Sequence, residues 1–251
     1  MNLFEKEFSE YDFRFRTNTD EDWYPCDTEE LFNSNLKKYP DSIHLKNYKN
    51  NPIKYSLNNF GFRTPDDFTL DGVGNVFLGC SHTFGVGHHL ENTWAYNLSK
   101  KIGGKFYNIS EPGSGVMTQY RLLKYFSNTI KFNNVYHFLP NECWGRFEYP
   151  FSSSYFENLD LRPDSNHAKL YKNWIDSVIF NDTWRNTNIM VYIDAIKHIC
   201  TKNNSNYFLI TDSYVKEINP YHETMIPARD IQHYYVEEHM ELVDKFNLIS
   251  R

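Results

Sequence analysis

The chain has 251 residues, a formal net charge of −6 and 18% aromatic residues. An aromatic content this high is typical of a protein that folds around a packed core, and it excludes an intrinsically disordered chain. The negative charge gives no basic footprint, so we expect no nucleic-acid partner.

The N-terminal region, residues 1–70, is predicted to be an extension packed on the main domain. Its first residues are acidic and lack the basic and apolar regions of a signal peptide. One short helix is favoured at 29–36, and residues 55–63 favour an edge strand and turn that cover the sheet. The alternative for this segment, disfavoured here, is that Arg63 orders the site from behind.

The remainder, residues 71–251, is predicted to be a single α/β domain. Short apolar runs alternate there with amphipathic helical patterns, which indicates βαβ units and a parallel sheet. The predicted strands lie at 76–78, 105–110, 135–139 and 207–210, and the predicted helices at 93–102, 116–130, 189–200 and 234–246.

Between the third and fourth strands, residues 142–188 form an insert without clear periodicity. A segment of this length is usually a lid, a binding loop or a small subdomain. Its aromatic side chains are equally suited to forming a wall for a sugar or acyl group and to packing as the core of a helical subdomain. They are Trp144, Phe147, Tyr149, Phe151, Tyr155, Phe156, Tyr171, Trp174, Phe180 and Trp184.

The chemistry is expected to centre on residues 75–90, NVFLGCSHTFGVGHHL. An apolar run ends there in a turn of small residues and leads into a helix, which places Ser81 at the carboxyl edge of a sheet. Ligands bind at that edge in open α/β folds.

The segment GCSHTFGVG resembles the first sequence block of the SGNH (GDSL-type) serine hydrolases. Gly79, Ser81 and Gly85 match that block, whereas Cys80 stands where aspartate is usual. Further blocks follow in family order, and the resemblance extends over roughly residues 55–246. It implies a three-layer, flavodoxin-like SGNH-hydrolase fold with about five parallel strands.

A terminal Asp-x-x-His block is present in ARDIQH, where Asp230 and His233 precede the last helix. Their spacing of three allows both side chains to point at one spot. A serine hydroxyl needs such a base, and the base needs a group that orients it. The resemblance implies that Ser81 is the nucleophile, His233 the general base and Asp230 its orienting carboxylate.

Two further blocks carry the groups that the resemblance assigns to the oxyanion hole beside the Ser81 N–H. In NISEPG the backbone N–H of Gly113 is one donor, and in LPNE the side-chain amide of Asn141 is the other. NISEPG is the second block and LPNE the third. The match of the third block is weaker, because Leu139 replaces a glycine and Glu142 replaces an aspartate.

The resemblance implies a serine esterase that acts on a small-molecule or carbohydrate ester, and the aromatic insert favours an O-acetyl carbohydrate. Without a signal peptide, a cytoplasmic location is expected, and a viral origin stays open. Four widely spaced cysteines without a CxxC pair predict reduced thiols, and a disulfide stays open as the alternative. We expect no membrane span, because no stretch reaches about twenty apolar residues. No cofactor is expected, since neither GxGxxG after a strand nor a P-loop occurs.

Three alternatives stay open at this point. His82, His88, His89 and His233 would be the ligands of a metal site, although they lack a metal-binding spacing. Cys80 is an alternative nucleophile, disfavoured because a residue at that position points into the packing layer. The departures from the family pattern also leave room for a carbohydrate-binding or virion-associated structural protein with a vestigial site.

Overall fold

A computed structural model of the chain describes residues 17–65, 67–69, 71–150, 156–160, 182–211 and 218–250. Its strands are β1 (Thr19–Glu21), β2 (Tyr55–Leu57), β3 (Val73–Leu78), β4 (Lys105–Asn108), β5 (Lys131–Phe138), β6 (Arg146–Pro150), β7 (Phe156–Asp160) and β8 (Asn206–Ile210). Its α-helices are α1 (Glu29–Lys38), α2 (Ile43–Asn50), α3 (Ser81–Phe84), α4 (Trp94–Ile102), α5 (Val116–Phe126), α6 (Asp182–Lys202) and α7 (Val236–Ile249).

The central sheet consists of four parallel strands in the order β4-β3-β5-β8. Val76 pairs with Tyr107 on one side and with Val135 on the other, so β3 lies inside the sheet. This confirms the predicted α/β class and the four strands placed from apolar runs. The part of the chain that the structure describes holds four of the about five parallel strands expected.

Helices cover both faces of this sheet and form a separate core on each. Val76 and Leu78 belong to the core that includes residues of α5 and α6. Phe77, between them in sequence, belongs to the core that includes residues of α4 and α7. Since successive side chains of a strand point to opposite faces, β3 is buried on both sides.

Helix α6 begins at Asp182, earlier than the apolar pattern from 189 onward predicted. Its first turns are largely exposed, so they carry no hydrophobic periodicity that a sequence pattern would reveal. Within the predicted insert, β6 and β7 pair as an antiparallel ribbon. Residues 151–155 and 161–181 lie outside the described residues, and the role of the insert's aromatic side chains stays a prediction.

The N-terminal region has a third core, which contacts the loop that follows α3. Tyr55 and Leu57 are buried there together with Phe84 and Val86. The strand predicted at residue 55 forms, but it pairs antiparallel with β1 in a separate two-stranded sheet rather than along the central sheet. Because Tyr55 and Leu57 share a core with Phe84, strand β2 covers the turn that carries Ser81. None of the described helices is long and apolar enough to cross a membrane.

Candidate active site

Ser81 is the first residue of α3, three residues beyond the end of β3. The turn between them requires glycine at position 79, because a Cβ there would lie 2.1 Å from Thr83 Oγ1 and 2.8 Å from the carbonyl oxygen of Phe138. The N–H groups of Thr83 and Phe84 both donate to the carbonyl of Cys80 at 3.0 Å. These bonds close the single turn of α3, and the Phe138 carbonyl places the carboxyl end of β5 directly beside Gly79.

His233 and Asp230 form a buried pair. The distance between His233 Nδ1 and Asp230 Oδ2 is 2.5 Å. The other carboxylate oxygen accepts hydrogen bonds from the backbone N–H groups of Gln232 at 3.0 Å and His233 at 3.3 Å. The same carboxylate thus shapes the turn and orients the ring. Because Nδ1 donates to Asp230, the lone pair of the neutral imidazole is on Nε2.

The structure brings this pair to the turn that holds Ser81. The ring of His82, the next residue in the chain, lies 5.1 Å from the ring of His233, centroid to centroid. On the other side of the serine, Cys80 interacts electrostatically with His233. The residue that follows Ser81 therefore neighbours His233, although the two sequence blocks are far apart in the chain.

Backbone contacts join the loop after α3 to the loop before His233. The Arg229 N–H donates to the carbonyl of Gly87 at 2.8 Å. Gly87 has φ +76°, and a Cβ there would lie 2.8 Å from Ala228 Cβ and 3.1 Å from Asp230 Oδ1. A larger residue at 87 would push these loops apart, which explains this glycine of the motif without any catalytic role.

The electrostatic environment favours a charged His233. Burial opposes the imidazolium, but the negative charge of Asp230 and its hydrogen bond outweigh that effect and raise the pKa of His233 above its usual value. The sequence left this direction undecided, because it shows neither the depth of burial nor the distance to Asp230.

Gly113 lies in a loop that is hydrogen-bonded to the same turn. The N–H of Glu111 and the hydroxyl of Ser114 both donate to the carbonyl of Gly79 at 3.1 Å. Gly113 itself has φ +82°, and among the described residues, its chain neighbours apart, no atom lies within 4 Å of the position that a Cβ would take. The predicted second block therefore lies beside the turn of Ser81, with open space on one side of its glycine.

Asn141 opens a short 3₁₀ helix, Asn141–Gly145, directly after β5, and its side chain is exposed. The N–H of Leu139 donates to the carbonyl of Ile210 at 2.9 Å, which fixes this end of β5 against β8. The thiol of Cys143, in the same 3₁₀ helix, is hydrogen-bonded to Cys80. The third block thus lies at the carboxyl edge that also carries Ser81.

A buried hydrogen-bond chain ends at the turn between β3 and α3 and supports it. This chain was not predicted from the sequence. Its links measure 2.7 Å from Tyr207 Oη to His137 Nδ1 and 2.7 Å from His137 Nε2 to Gln119 Oε1. Gln119 Nε2 then donates to the hydroxyl of Ser114 at 3.1 Å, and that hydroxyl donates to the carbonyl of Gly79. A histidine in the middle of an otherwise apolar strand was the only sequence signal for it.

Arg63 orders the loop after α3 from behind, which is the role that the sequence disfavoured. The guanidinium is buried and donates to the carbonyls of Gly85 at 2.5 Å, His88 at 2.8 Å and Lys54 at 3.0 Å. It also lies 4.4 Å from the ring centre of Tyr55. Each carbonyl takes a charge-assisted hydrogen bond, so Arg63 holds the segment without a carboxylate partner at these atoms.

The histidines near the site make hydrogen bonds that suit neutral rings. His88 Nε2 donates to the carbonyl of Tyr234 at 2.6 Å, and His239 Nδ1 accepts the N–H of Trp94 at 3.3 Å. His89 stacks on Tyr48 instead, with centroids 5.9 Å apart. Among the described residues, no three side chains of histidine, cysteine, aspartate or glutamate are grouped to hold a metal ion.

Comparison of the chain with models of protein families and with curated proteins found no match in either case.

Proposed function

We propose that the protein is a serine-dependent ester hydrolase of the SGNH (GDSL) type, with Ser81, His233 and Asp230 as its catalytic triad. The observation that carries the proposal is the buried 2.5 Å contact between His233 and Asp230 beside the turn of Ser81. A surface imidazole that merely follows a capping aspartate would not lie among the residues next to the predicted nucleophile.

The topology supports this assignment. The strand order β4-β3-β5-β8 agrees with the first four strands of the flavodoxin-like order 2-1-3-4-5. In such sheets the ligand crevice lies at the switch point, which here is the carboxyl end of β3 beside β5. Ser81 follows β3, and Asn141 follows β5.

In the proposed mechanism, His233 Nε2 removes the hydroxyl proton of Ser81 as Oγ attacks the ester carbonyl carbon. The tetrahedral intermediate collapses with transfer of that proton to the leaving alcohol, and water then hydrolyses the acyl-enzyme by the same route. Asp230 keeps the proton on Nδ1 and stabilises the imidazolium that forms in each step. The raised pKa of His233 reflects the same stabilisation.

The proposed oxyanion hole consists of the N–H groups of Ser81 and Gly113 and the side-chain amide of Asn141. The first N–H groups of a helix have no partner within the helix, so α3 offers Ser81 N–H at the required place. The hydrogen bonds from Glu111 and Ser114 to the Gly79 carbonyl hold the loop of Gly113 beside the turn of Ser81, which supports this assignment. Preorganised donors of this kind usually supply the largest single stabilisation of such a transition state.

An acyl ester is the substrate class that the surroundings support best. An apolar cavity of about 390 Å³ lies beside the 3₁₀ helix that Asn141 opens. Its lining includes Trp144 from that helix, Ile193 from α6 and Leu209 from β8. The substrate that we favour is an O-acetyl carbohydrate, because Trp144 lies three residues after Asn141 and an aromatic side chain beside this edge of the sheet suits a sugar face.

The test is hydrolysis of an activated acetyl ester together with labelling by a phosphonofluoridate. We expect turnover and a single adduct on Ser81, both lost in Ser81→Ala and both kept in Ser127→Ala, a matched change at the end of α5. Hydrolysis that survives in Ser81→Ala would reject the triad. A folded protein that neither turns over nor reacts across an ester panel would favour the carbohydrate-binding or structural alternative.

A further inference from the structure

The position that departs from the family pattern, Cys80, is paired with a second cysteine from a distant part of the chain. Both Cys80 and Cys143 are about 1% exposed, and both belong to the core on the α5 and α6 side of the sheet. The Cys143 thiol is hydrogen-bonded to the sulfur of Cys80. A buried cysteine usually packs as a small apolar side chain, whereas these two thiols contact each other directly.

One cationic side chain, that of Arg146, contacts this pair. Arg146 Nη1 lies 3.6 Å from the sulfur of Cys143, and the charges of Arg146 and His233 both act on Cys80. The hydrogen bond from Cys143 and these charges lower the pKa of Cys80 despite its burial, and the N–H of His82 acts in the same direction.

The two other cysteines have the opposite environment. Burial raises the pKa of Cys26 to about 12, and the charges of Asp230 and Asp27 add to that effect. Burial alone raises the pKa of Cys200 to about 12. The thiolate is the form that reacts with oxidants, so Cys80 is the reactive thiol of these three, and Cys143 is its hydrogen-bonded neighbour.

We propose that Cys80 and Cys143 are a redox-active dithiol that a peroxide converts into a disulfide. The Cys80 thiolate attacks one oxygen of hydrogen peroxide, the O–O bond breaks, and the departing hydroxide takes up a proton to become water. The thiolate of Cys143, after losing its proton, then attacks the sulfur of the Cys80 sulfenic acid and expels hydroxide, which becomes a second water. Two thiols are oxidised and one peroxide is reduced.

The disulfide would join two turns that carry candidate functional groups. Cys80 directly precedes Ser81, and Cys143 lies two residues after Asn141 within the same 3₁₀ helix. Oxidation would therefore lock the 3₁₀ helix to the end of β3. The thiol chemistry itself does not depend on hydrolysis by Ser81, so this proposal and the proposed function can fail separately.

The experiment treats the reduced, full-length protein with a small excess of hydrogen peroxide and maps its peptides without reduction. We expect roughly one disulfide per chain, a loss of two hydrogen atoms in the intact mass, and a crosslinked peptide containing Cys80 and Cys143. Cys26 and Cys200 should still be alkylated as thiols afterwards. No variant is needed for this result, so a folding defect cannot obscure it.

Variants then separate the two roles. In Cys143→Ser, the sulfenic acid has no resolving thiol, so a dimedone adduct should accumulate on Cys80. In Cys80→Ser, Cys143 should remain unlabelled, and the control Cys200→Ser should form the disulfide as the parent does. Oxidation of Cys26 or Cys200 as fast as Cys80, or conversion of Cys80 and Cys143 to sulfinic acids without a crosslink, would overturn the proposal.

Discussion

Asp27 and Arg229 form a buried ion pair between residues that are 202 positions apart in the chain. Arg229 Nη2 lies 2.7 Å from Asp27 Oδ2, Arg229 Nε lies 3.0 Å from both carboxylate oxygens, and both side chains are about 1% exposed. The hydroxyl of Tyr55 also donates to Asp27, and it accepts the N–H of Gly87 at 2.9 Å. One carboxylate from the N-terminal region therefore links the loop of the proposed base to the loop after Ser81.

Removal of this carboxylate should destabilise the whole protein. In Asp27→Ala the guanidinium of Arg229 would stay buried without its counter-ion, which typically costs about 3–5 kcal/mol. We expect the urea midpoint to fall accordingly, and hydrolysis to fall with it even under folding conditions, because Asp230 directly follows Arg229.

The matched control is Asp22→Ala, which breaks the surface ion pair between Asp22 and Lys54. Exposed pairs contribute little to stability, so this variant should unfold at nearly the parental urea concentration. Equal losses in both variants would show that Asp27 has no special linking role.

The pH dependence of hydrolysis should reveal the contact between His233 and Asp230. The base must be neutral to accept the serine proton, so kcat/KM should rise with pH through an ionisation above the usual histidine value of about 6.5. The midpoint is displaced upward because Asp230 raises the pKa of His233 in spite of burial. In Asp230→Asn that midpoint should move down and kcat should fall by about 10⁴, the loss that an incorrect imidazole tautomer produces. Profiles with the same midpoint in both proteins would contradict this role.

The exposed amide of Asn141 should act on the transition state and not on substrate binding. Asn141→Ala removes one proposed oxyanion donor, so kcat should fall by roughly 10²–10³ while KM changes little. Steady-state kinetics with an acetyl ester test this, and Asn128→Ala in the turn after α5 is a suitable control. A variant that raises KM and leaves kcat unchanged would place Asn141 among the substrate-binding residues instead.

The central sheet could be predicted because its strands are buried on both faces and therefore appear as uninterrupted apolar runs. Val76 to Leu78 is the clearest case, since neighbouring side chains enter different cores. The pair of Asp230 and His233 was also visible, because three residues of spacing place both in one local turn. Both features are predictable because they depend on complete burial or on local geometry, which a sequence pattern records.

Contacts between distant segments could not be predicted in the same way. Nothing near Asp27 indicates a partner 202 residues away, and Arg229 was noticed only as a neighbour of the Asp-x-x-His block. Arg63 was treated as part of a covering turn because its carbonyl partners belong to a loop whose path the sequence does not define. Hydrophobic periodicity records burial, whereas these roles depend on how separate loops meet.

Four buried histidines should make the protein unstable in mild acid. Burial lowers the pKa of His88 to about 4 and that of His137 to about 3, and it holds those of His82 and His239 well below the usual value. The unfolded chain takes up protons near pH 6.5, so below that pH it binds more protons than the folded state does. Stability should then fall by about 1.4 kcal/mol per pH unit for each histidine that stays neutral. The raised pKa of His233 works in the opposite sense, but it is one group against four.

Urea unfolding at pH 7.5, 6.5 and 5.5 measures this dependence, and the loss should appear between the last two values. His137→Gln cannot take up a proton, so the free energy of unfolding should fall less steeply with acid in this variant, even though its stability at neutral pH is reduced. The control His198→Gln changes an exposed position on α6 and should keep the parental slope. Stability that is constant from pH 7.5 to 5.5 would mean that the folded protein accepts protons on these rings, in conflict with their burial.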